Sequence, residues 1–424
     1  MIRTKNTHTM EITKKVREID ACRISASKNL ISVLKLGEQV LTGVFPKTKD
    51  TLITKGPLEL VLCPDSGLLQ LKHSYDPAEM YGMNYGYRSG LNSSMVQHLQ
   101  NKVNALTRIC SVRSGDIVLD IGSNDATLLK SYLQPGLKRI GIDPTGKQFA
   151  EYYTDGLELI PEFFSAKTYR SRFRTQNAKI ITSIAMFYDL ESPKSFVSDI
   201  EGILEPEGIW HFEQSYMPSM LQLNSYDTTC HEHLEYYSLE VVKALLEDCG
   251  LKIIDVQVNS VNGESFAVTA AKHSSKHSTN HAIINRMLEQ ESKMELRTLA
   301  PYRRFEEQVH HHRDNLLNLI RGLTSEGKSI IGYGASTKGN VILQFCKLTE
   351  KDLPYIAEVN SNKFGSYTPG TLIPIISEAE AKKLRPDYML VLPWHFKTSI
   401  IQREQEYLAR GGKLIIPLPE IEVI

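Results

Sequence analysis

The chain has 424 residues, of which 41% are hydrophobic and 23% charged, as expected of a globular protein large enough for two or three domains. Lys plus Arg and Asp plus Glu both number 49, so no net charge is present to attract nucleic acid. No run of about 18 apolar residues occurs, the N-terminus lacks the apolar centre of a secretory signal, and the six cysteines are scattered. We therefore expect a cytoplasmic protein without membrane or nucleic-acid partners, and its oligomeric state is left open.

Short strands and turns are predicted for residues 20–75, including a hairpin of residues 58–63 and 68–71 with Pro64, Asp65 and Gly67 in its turn. A helical stretch at 92–110 leads into strands that alternate with helices, the pattern of a doubly wound parallel sheet. The strands are expected at 117–121, 139–142, 180–184 and 209–213, with an antiparallel hairpin at 253–258 and 264–271.

A polar stretch at 272–281 is a plausible domain boundary. A long helical region and a second strand–helix alternation follow, with strands from residue 329 and near 355–359, 388–391 and 413–416. The predicted fold is α/β, with two Rossmann-like doubly wound sheets and a small β-rich N-terminal domain. The predicted domains are residues 1–78, 79–282 and 283–424.

Residues 118–129 combine a buried strand, a glycine turn and the start of a helix. Glycine lets the backbone approach a ligand closely, and about twenty residues later a second strand ends in a carboxylate suited to both ribose hydroxyls of an adenosine group. An NAD site uses the same acid but normally needs a G-x-G-x-x-G turn, and only one glycine is present here. The sequence favours S-adenosylmethionine (SAM) over NAD and over a purely structural turn. The predicted cofactor-binding residues are Asp120, Gly122, Ser123, Asn124 and Asp143.

Residues 224–238 contain two His, two Glu, one Asp and three Tyr, a density that suits proton transfer. His231 and His233 alternate, so in an extended segment both would face one side. A His-x-His metal site is an alternative, but no third ligand is obvious nearby. A polar loop that caps the following helix is the other alternative.

Five motifs give the chain a specific resemblance to the bacterial nucleotide-sugar C-methyltransferases. They are Asn-Tyr-Gly-Tyr-Arg-Ser-Gly at 84–90, the turn at 120–125, His-Glu-His at 231–233, Gly-Tyr-Gly-Ala-Ser-Thr-Lys-Gly-Asn at 332–340, and Tyr-Thr-Pro-Gly-Thr-Leu-Ile-Pro at 367–374. The resemblance covers about residues 20–424. It implies a three-part chain that transfers a methyl from SAM to a carbon of a nucleotide-linked 4-keto-deoxy sugar.

The resemblance also implies catalytic roles. His233 matches the base that removes a proton next to the ketone, with Glu232 beside it, and Tyr85 or Tyr87 matches an active-site tyrosine that can steady the enolate oxygen. His231 completes the candidate catalytic set. Aromatic packing between domains is the alternative interpretation of the two tyrosines.

By the same resemblance, the C-terminal domain holds the nucleotide sugar. Two glycines, hydroxyl residues and a lysine at a strand-to-helix turn form a plausible phosphate cradle, although the P-loop order is absent. A degenerate Rossmann fold kept for packing is the alternative. The predicted substrate-binding residues are Gly332, Tyr333, Gly334, Lys338, Asn340, Tyr367 and Trp394.

Two departures from the family stand out. Ser25 and Ser66 replace the second thiol of each Cys-x-x-Cys pair that binds structural zinc in the family, so we expect no zinc here, or a site completed by other ligands. Phe187 stands where characterised sugar enzymes of the family carry a histidine. The alternatives are therefore an O- or C-methyltransferase for another small molecule, or a non-catalytic nucleotide-binding scaffold.

Overall fold

The computed structural model describes residues 16–81, 87–261 and 263–424. Within these residues the strands form four sheets, of two, four, six and seven strands. No helix in this part of the chain is long and apolar enough to cross a membrane. All six cysteines carry free thiols.

The N-terminal part is a set of antiparallel strands. They are β1 (Val16–Glu18), β2 (Ile31–Val40), β3 (Lys55–Cys63), β4 (Leu68–Leu71) and β5 (His73–Tyr75), followed by a short helix α1 (Pro77–Met80). β3 and β4 form the predicted hairpin, β2 pairs with β3, and β1 pairs with β5. Gly67 ends the hairpin turn with φ +77°, which glycine adopts without steric cost.

The central part alternates strands and helices. The strands are β6 (Ile117–Ile121), β7 (Lys138–Ile142), β8 (Leu157–Ile160), β9 (Ala178–Ile184), β10 (Leu204–Ser215), β11 (Glu235–Tyr236), β12 (Leu251–Asn259) and β13 (Ser265–Lys272). The helices are α2 (Ser93–Ile109), α3 (Thr127–Lys130), α4 (Ala166–Phe173), α5 (Pro193–Ile203), α6 (Met217–Gln222) and α7 (Leu239–Asp248).

Seven of these strands form one sheet in the order β12-β13-β10-β9-β6-β7-β8. β6 to β10 pair in parallel, and β13 runs antiparallel between β10 and β12. Every residue of β6 is buried, because helices cover both faces of a parallel sheet. The carboxyl ends of β6, β7 and β9 therefore meet at one edge, where ligands of open α/β sheets bind.

The C-terminal part begins with the helices α8 (His281–Lys293) and α9 (Ala300–Ser325). Its strands are β14 (Ile330–Tyr333), β15 (Ile356–Glu358), β16 (Ile375–Ser377), β17 (Tyr388–Val391), β18 (Lys413–Ile416) and β19 (Glu422–Val423). Its further helices are α10 (Thr337–Phe345), α11 (Glu378–Lys383), α12 (Lys397–Arg403) and α13 (Gln405–Ala409). The strand order β16-β15-β14-β17-β18-β19 is that of a Rossmann sheet. The predicted α/β fold with two such sheets is confirmed.

The three parts meet around the histidine-rich segment. β11, which lies within that segment, pairs with β4 of the N-terminal part and not with the seven-stranded sheet. The side chain of Gln344 in α10 accepts a hydrogen bond from Val40 N at 2.8 Å and donates one to Val40 O at 3.0 Å. The N-terminal sheet also shares one hydrophobic core with the C-terminal sheet. The histidine segment thus lies where residues from all three parts can reach it.

Candidate active site

Gly122 shapes the turn after β6. Its φ is +74°, its N–H donates to the carbonyl of Ile142 at 2.9 Å, and a Cβ there would lie 3.0 Å from Met186 Cγ. A side chain at this position would therefore be both strained and crowded. Glycine therefore allows the backbone to turn here between the ends of β7 and β9.

Asp143 fastens that turn from the end of β7. Its Oδ2 accepts from Asn124 N at 2.7 Å, and its Oδ1 accepts from Thr145 N at 2.7 Å and from Thr145 Oγ1 at 2.6 Å. A carboxylate offers about four acceptor positions, so these three bonds leave room for a hydroxyl. The residue is nonetheless buried, which holds its geometry fixed.

Asp120 lies beneath the turn. It is buried, and its Oδ1 accepts from Thr182 Oγ1 at 2.6 Å. Burial raises the pKa of Asp120 to about 7, the Thr182 bond opposes that rise and the Asp143 charge adds to it. A cationic ligand in this position would stabilise the carboxylate form.

Ser123 and Asn124 complete the turn. Ser123 Oγ lies 2.7 Å from the hydroxyl of Tyr153, a contact that needs the glycine at 141, because a Cβ there would collide with both groups. Asn124 Nδ2 donates to the carbonyl of Tyr87 at 3.1 Å, and Asn124 Oδ1 accepts from Ser89 N at 3.0 Å. The segment before α2 is therefore bonded to the turn after β6. The side chain of Tyr87 is 49% exposed, whereas Tyr85 lies outside the described residues.

Phe163 is a candidate that the sequence analysis did not single out. It follows β8, which ends in register with β7 beside Asp143, and its side chain is 57% exposed. Its neighbour Phe164 turns inward and packs on Phe196 at 5.1 Å between ring centroids. The sequence signal that could have identified Phe163 is the pair of adjacent aromatic residues that follows β8. An exposed aromatic at this edge can stack on an adenine ring.

His233 is held as a neutral imidazole. Its Nδ1 lies 2.8 Å from the carbonyl oxygen of Thr228, which can only accept, so Nδ1 carries the proton and Nε2 keeps its lone pair. Burial lowers the pKa of His233 to about 3, and the charge of Lys338 contributes to that shift. The ring of Tyr188 packs on it with centroids 4.2 Å apart. This arrangement presents a proton acceptor.

His231 has different surroundings. Residues 231–233 form a turn, with His233 N donating to Cys230 O at 3.2 Å, so the extended geometry in which both imidazoles would face one side does not occur. His231 is fully buried and packs edge-on against Tyr75 at 4.6 Å. Burial lowers the pKa of His231 to about 4. It belongs to the contact with the N-terminal sheet.

Glu232 faces the segment after β2. Its Oε2 lies 3.5 Å from Thr42 Oγ1, and a Cβ on Gly43 would come within 2.5 Å of its Oε1. The side chain is buried, and burial raises the pKa of Glu232. A protonated carboxyl group in this position would be a hydrogen-bond donor.

Two of the predicted substrate-binding residues reach the histidine segment from the C-terminal sheet. Lys338 lies in the first turn of α10. Its positive charge contributes to the lowered pKa of His233 and favours the ionised form of Asp227. Burial lowers the pKa of Lys338 itself. Trp394 Nε1 donates to Asp227 Oδ2 at 2.7 Å. The two C-terminal residues therefore converge on one buried carboxylate beside His233.

Other predicted substrate-binding residues make hydrogen bonds within the protein. Tyr333 donates its hydroxyl hydrogen bond to Glu404 Oε1 at 2.8 Å, inside the C-terminal core. Asn340 Nδ2 donates to the carbonyl of Thr42 at 2.8 Å and is fully buried. These side chains tie α10 to the N-terminal part and β14 to α12 and α13.

The remaining three predicted residues lie around the turn after β14 and at a separate loop. Gly332 and Gly334 leave room for close packing, and a Cβ on Gly334 would lie 2.6 Å from Pro393 Cδ. Tyr367 donates its backbone N–H to the carbonyl of Pro46 at 2.8 Å. The structure thus places Tyr367 against the N-terminal part.

Comparison with known proteins shows the family to which the chain belongs. Three family models match in order: a zinc binding domain at residues 22–81, a methyltransferase domain at 95–256 and a C-methyltransferase C-terminal domain at 260–419. The C-methyltransferase NovU of Streptomyces niveus is 31% identical over 413 residues, which are 96% of this chain and 98% of that protein. The chain belongs to the C-methyltransferase family. It is a SAM-dependent methyltransferase.

Solved structures match the chain over less of its length. A methyltransferase in complex with the Trm112 activator from Haloferax volcanii is 17% identical, with 43% of this chain and 94% of that chain covered and a TM-score of 0.35. The mitomycin 7-O-methyltransferase MmcR is 19% identical, with 43% and 55% covered and a TM-score of 0.34.

The zinc-binding positions of this C-methyltransferase hold a different set of groups. Cys22 Sγ lies 3.3 Å from Ser66 Oγ, and Ser25 Oγ lies 3.7 Å from Cys63 Sγ. No group of three or more His, Cys, Asp or Glu side chains placed to bind a metal occurs among the described residues. Two thiols and two hydroxyls do not fit the thiolate and imidazole ligands of structural zinc.

Phe187 does not face the site. It is fully buried and stacks on Tyr237 at 5.2 Å, with Trp210 and Phe212 at 5.2 and 5.0 Å. In this C-methyltransferase the position therefore belongs to the hydrophobic core of the central sheet.

Proposed function

We propose that this C-methyltransferase transfers the methyl of SAM to a ring carbon next to the ketone of a nucleotide-linked 4-keto-deoxy sugar. The observation that carries the proposal is the state of His233. The Thr228 carbonyl fixes the proton on Nδ1, and burial with Lys338 keeps the ring neutral. Such a ring carries no proton on Nε2 at neutral pH and can accept one there.

The cofactor site is proposed to consist of Asp120, Gly122, Ser123, Asn124 and Asp143. When bound, SAM supplies an electrophilic methyl, and the electron pair of the broken C–S bond stays on sulfur. Asp143 is proposed to accept a hydrogen bond from the ribose at the position its three protein bonds leave. Gly122 allows the backbone approach, and Asp120 favours a cation.

The proton and the electrons balance as follows. His233 Nε2 takes the proton from the carbon next to the ketone, and the electron pair of that C–H bond becomes the enolate. The enolate carbon then forms the new C–C bond to the methyl. Tyr87 or Tyr85 is proposed to donate a hydrogen bond to the enolate oxygen. The bond between Asn124 and the Tyr87 carbonyl supports a place for that segment beside the cofactor.

The substrate is proposed to lie between the central and C-terminal parts. Lys338 and Trp394 support this because both approach Asp227 next to His233. For Tyr333 and Asn340 we propose structural roles. The domain division at 78/79 and 282/283 and a place in the cytoplasm are parts of the same proposal, and free thiols suit a reducing compartment.

A histidine substitution tests the proposal. The wild type, His233→Asn and the exposed control His273→Asn are incubated with SAM and dTDP-, GDP- and CDP-linked 4-keto-6-deoxy sugars. Loss of a general base is expected to lower kcat by about 10²- to 10⁴-fold, with an unchanged Kd for SAM by calorimetry. Full activity of His233→Asn would contradict the proposed base.

A different substrate class is the second candidate, because Phe187 is a core residue and no histidine stands at that position. Wild-type protein that binds SAM but methylates no keto sugar would favour it. A product found only with another small ketone or phenol would establish it.

A further inference from the structure

The turn after β9 sends two neighbouring aromatic residues in different directions. Ala185 has φ +54° and reverses the chain after the strand. Phe187 then enters the core, stacked on Tyr237. Tyr188 instead packs on the ring of His233. The residue that faces the base is therefore 188, one position after the residue that aligns with the family histidine.

The contact between Tyr188 and His233 is held by the backbone as well as by the rings. Leu234 N donates to the carbonyl of Tyr188 at 2.7 Å, which fixes the two segments to each other. The ring centroids are 4.2 Å apart with planes inclined by 57°. Both residues line the same small cavity, together with Met217 and Met220.

The same turn also reaches the cofactor turn. Met186 lies so close to Gly122 that a Cβ there would be 3.0 Å from its Cγ. Only one residue separates Met186 from Tyr188. Residues 186–188 therefore bridge the proposed methyl-donor turn and the proposed base.

A base must be held to within a fraction of an ångström, and a shift of 1 Å can lower the rate by about 10²-fold. The Nδ1 bond to Thr228 O fixes one edge of the His233 ring. Thr228 Oγ1 lies 3.4 Å from the same nitrogen, so both contacts are at Nδ1 and leave the ring free to tilt about that edge. Packing against the Tyr188 ring removes this freedom.

We propose that Tyr188 is a positioning residue that holds the His233 imidazole in place through its aromatic ring. This inference rests on the proposed role of His233 and extends it to the turn after β9. The ring, and not the hydroxyl, is the part of Tyr188 that acts.

The test separates the ring from the hydroxyl. Tyr188→Phe is expected to keep kcat within about twofold, and Tyr188→Leu to lower kcat by about 10²-fold with an unchanged Kd for SAM. Tyr169→Leu, which removes a still more deeply buried ring from α4, controls for general loss of stability. It is expected to leave kcat at a permissive temperature close to that of the wild type.

A readout without substrate keeps the inference testable if the proposed substrate is wrong. In ¹⁵N-histidine spectra, His233 is expected to show one Nδ1–H tautomer in the wild type and Tyr188→Phe, and exchange broadening in Tyr188→Leu. Equal losses of kcat in both variants would assign the chemistry to the hydroxyl and overturn the inference. Unchanged kcat and spectra in Tyr188→Leu would overturn it as well.

Discussion

Glu213 at the end of β10 offers a prediction whose size follows from the structure. Its carboxylate is 3% exposed and binds His98 and Lys102 of α2 and Asn259 of β12, each at 2.6 Å. Burial opposes the charge, but the His98 hydrogen bond and the Lys102 charge outweigh it and lower the pKa of Glu213 from 4.5 to about 2. A carboxylate whose pKa falls from 4.5 in the unfolded chain to about 2 in the folded protein contributes about 3 kcal/mol to the free energy of unfolding.

Glu213→Gln keeps the shape and removes the charge. We expect it to lower the free energy of unfolding at pH 7 by about 3 kcal/mol, as for other broken buried pairs. A lowered folded-state pKa contributes stability above the unfolded-state pKa of about 4.5. That contribution disappears as the pH falls from 4.5 towards 2. The difference between wild type and variant is therefore expected to shrink over this window.

The assay is denaturant unfolding followed by tryptophan fluorescence, because Trp210 lies in the same strand. Glu289→Gln, in an exposed pair with Lys293 on α8, serves as the control and is expected to cause no measurable change. Two results would contradict a stabilising Glu213 carboxylate. One is a decrease of less than about 1 kcal/mol in the free energy of unfolding of Glu213→Gln at pH 7, and the other is a difference from the wild type that does not change with pH.

Three further predictions concern the cofactor turn and the N-terminal part. Asp143→Asn is expected to weaken SAM binding by about 10- to 100-fold in calorimetry, the size of a charge-assisted hydrogen bond; an unchanged Kd would contradict the proposed ribose contact. Gly122→Ala is expected to cost about 1–2 kcal/mol from its positive φ and to weaken SAM binding, and equal affinity would show that the turn does not contact the cofactor. Ser25→Cys combined with Ser66→Cys is expected to bind about one zinc ion per chain by mass spectrometry of metals, while either single variant binds none; zinc in the wild type would contradict the hydroxyl argument.

The fold could be predicted because its signals are local. A run of Ile, Val and Leu before a glycine turn marks β6, a short apolar segment that ends in a carboxylate marks β7, and both strands formed as expected. The second sheet followed from the same alternation after the long helix. Propensity and periodicity are sufficient where one strand is followed by one helix.

The surroundings of the site depend on contacts between distant residues, and the sequence did not reveal them. In β11, Glu235 pairs with Gln70, 165 residues earlier in the chain, so the spacing of His231 and His233 gave no information about their directions. The position of Tyr188 against His233 follows a positive φ at Ala185, which no sequence pattern marks. Tyr333 lies in a ligand-like motif, yet its hydroxyl bonds to Glu404 in the core.

The atom that receives the methyl is the most direct test of the proposed methylation of the carbon next to the ketone. Wild-type protein is incubated with SAM labelled with ¹³C in its methyl and with the panel of nucleotide-linked 4-keto-6-deoxy sugars, and the product is examined by two-dimensional carbon–proton NMR. We expect a labelled methyl bonded directly to the ring carbon next to the ketone. A labelled methyl on oxygen, or on a carbon not adjacent to the ketone, would contradict it.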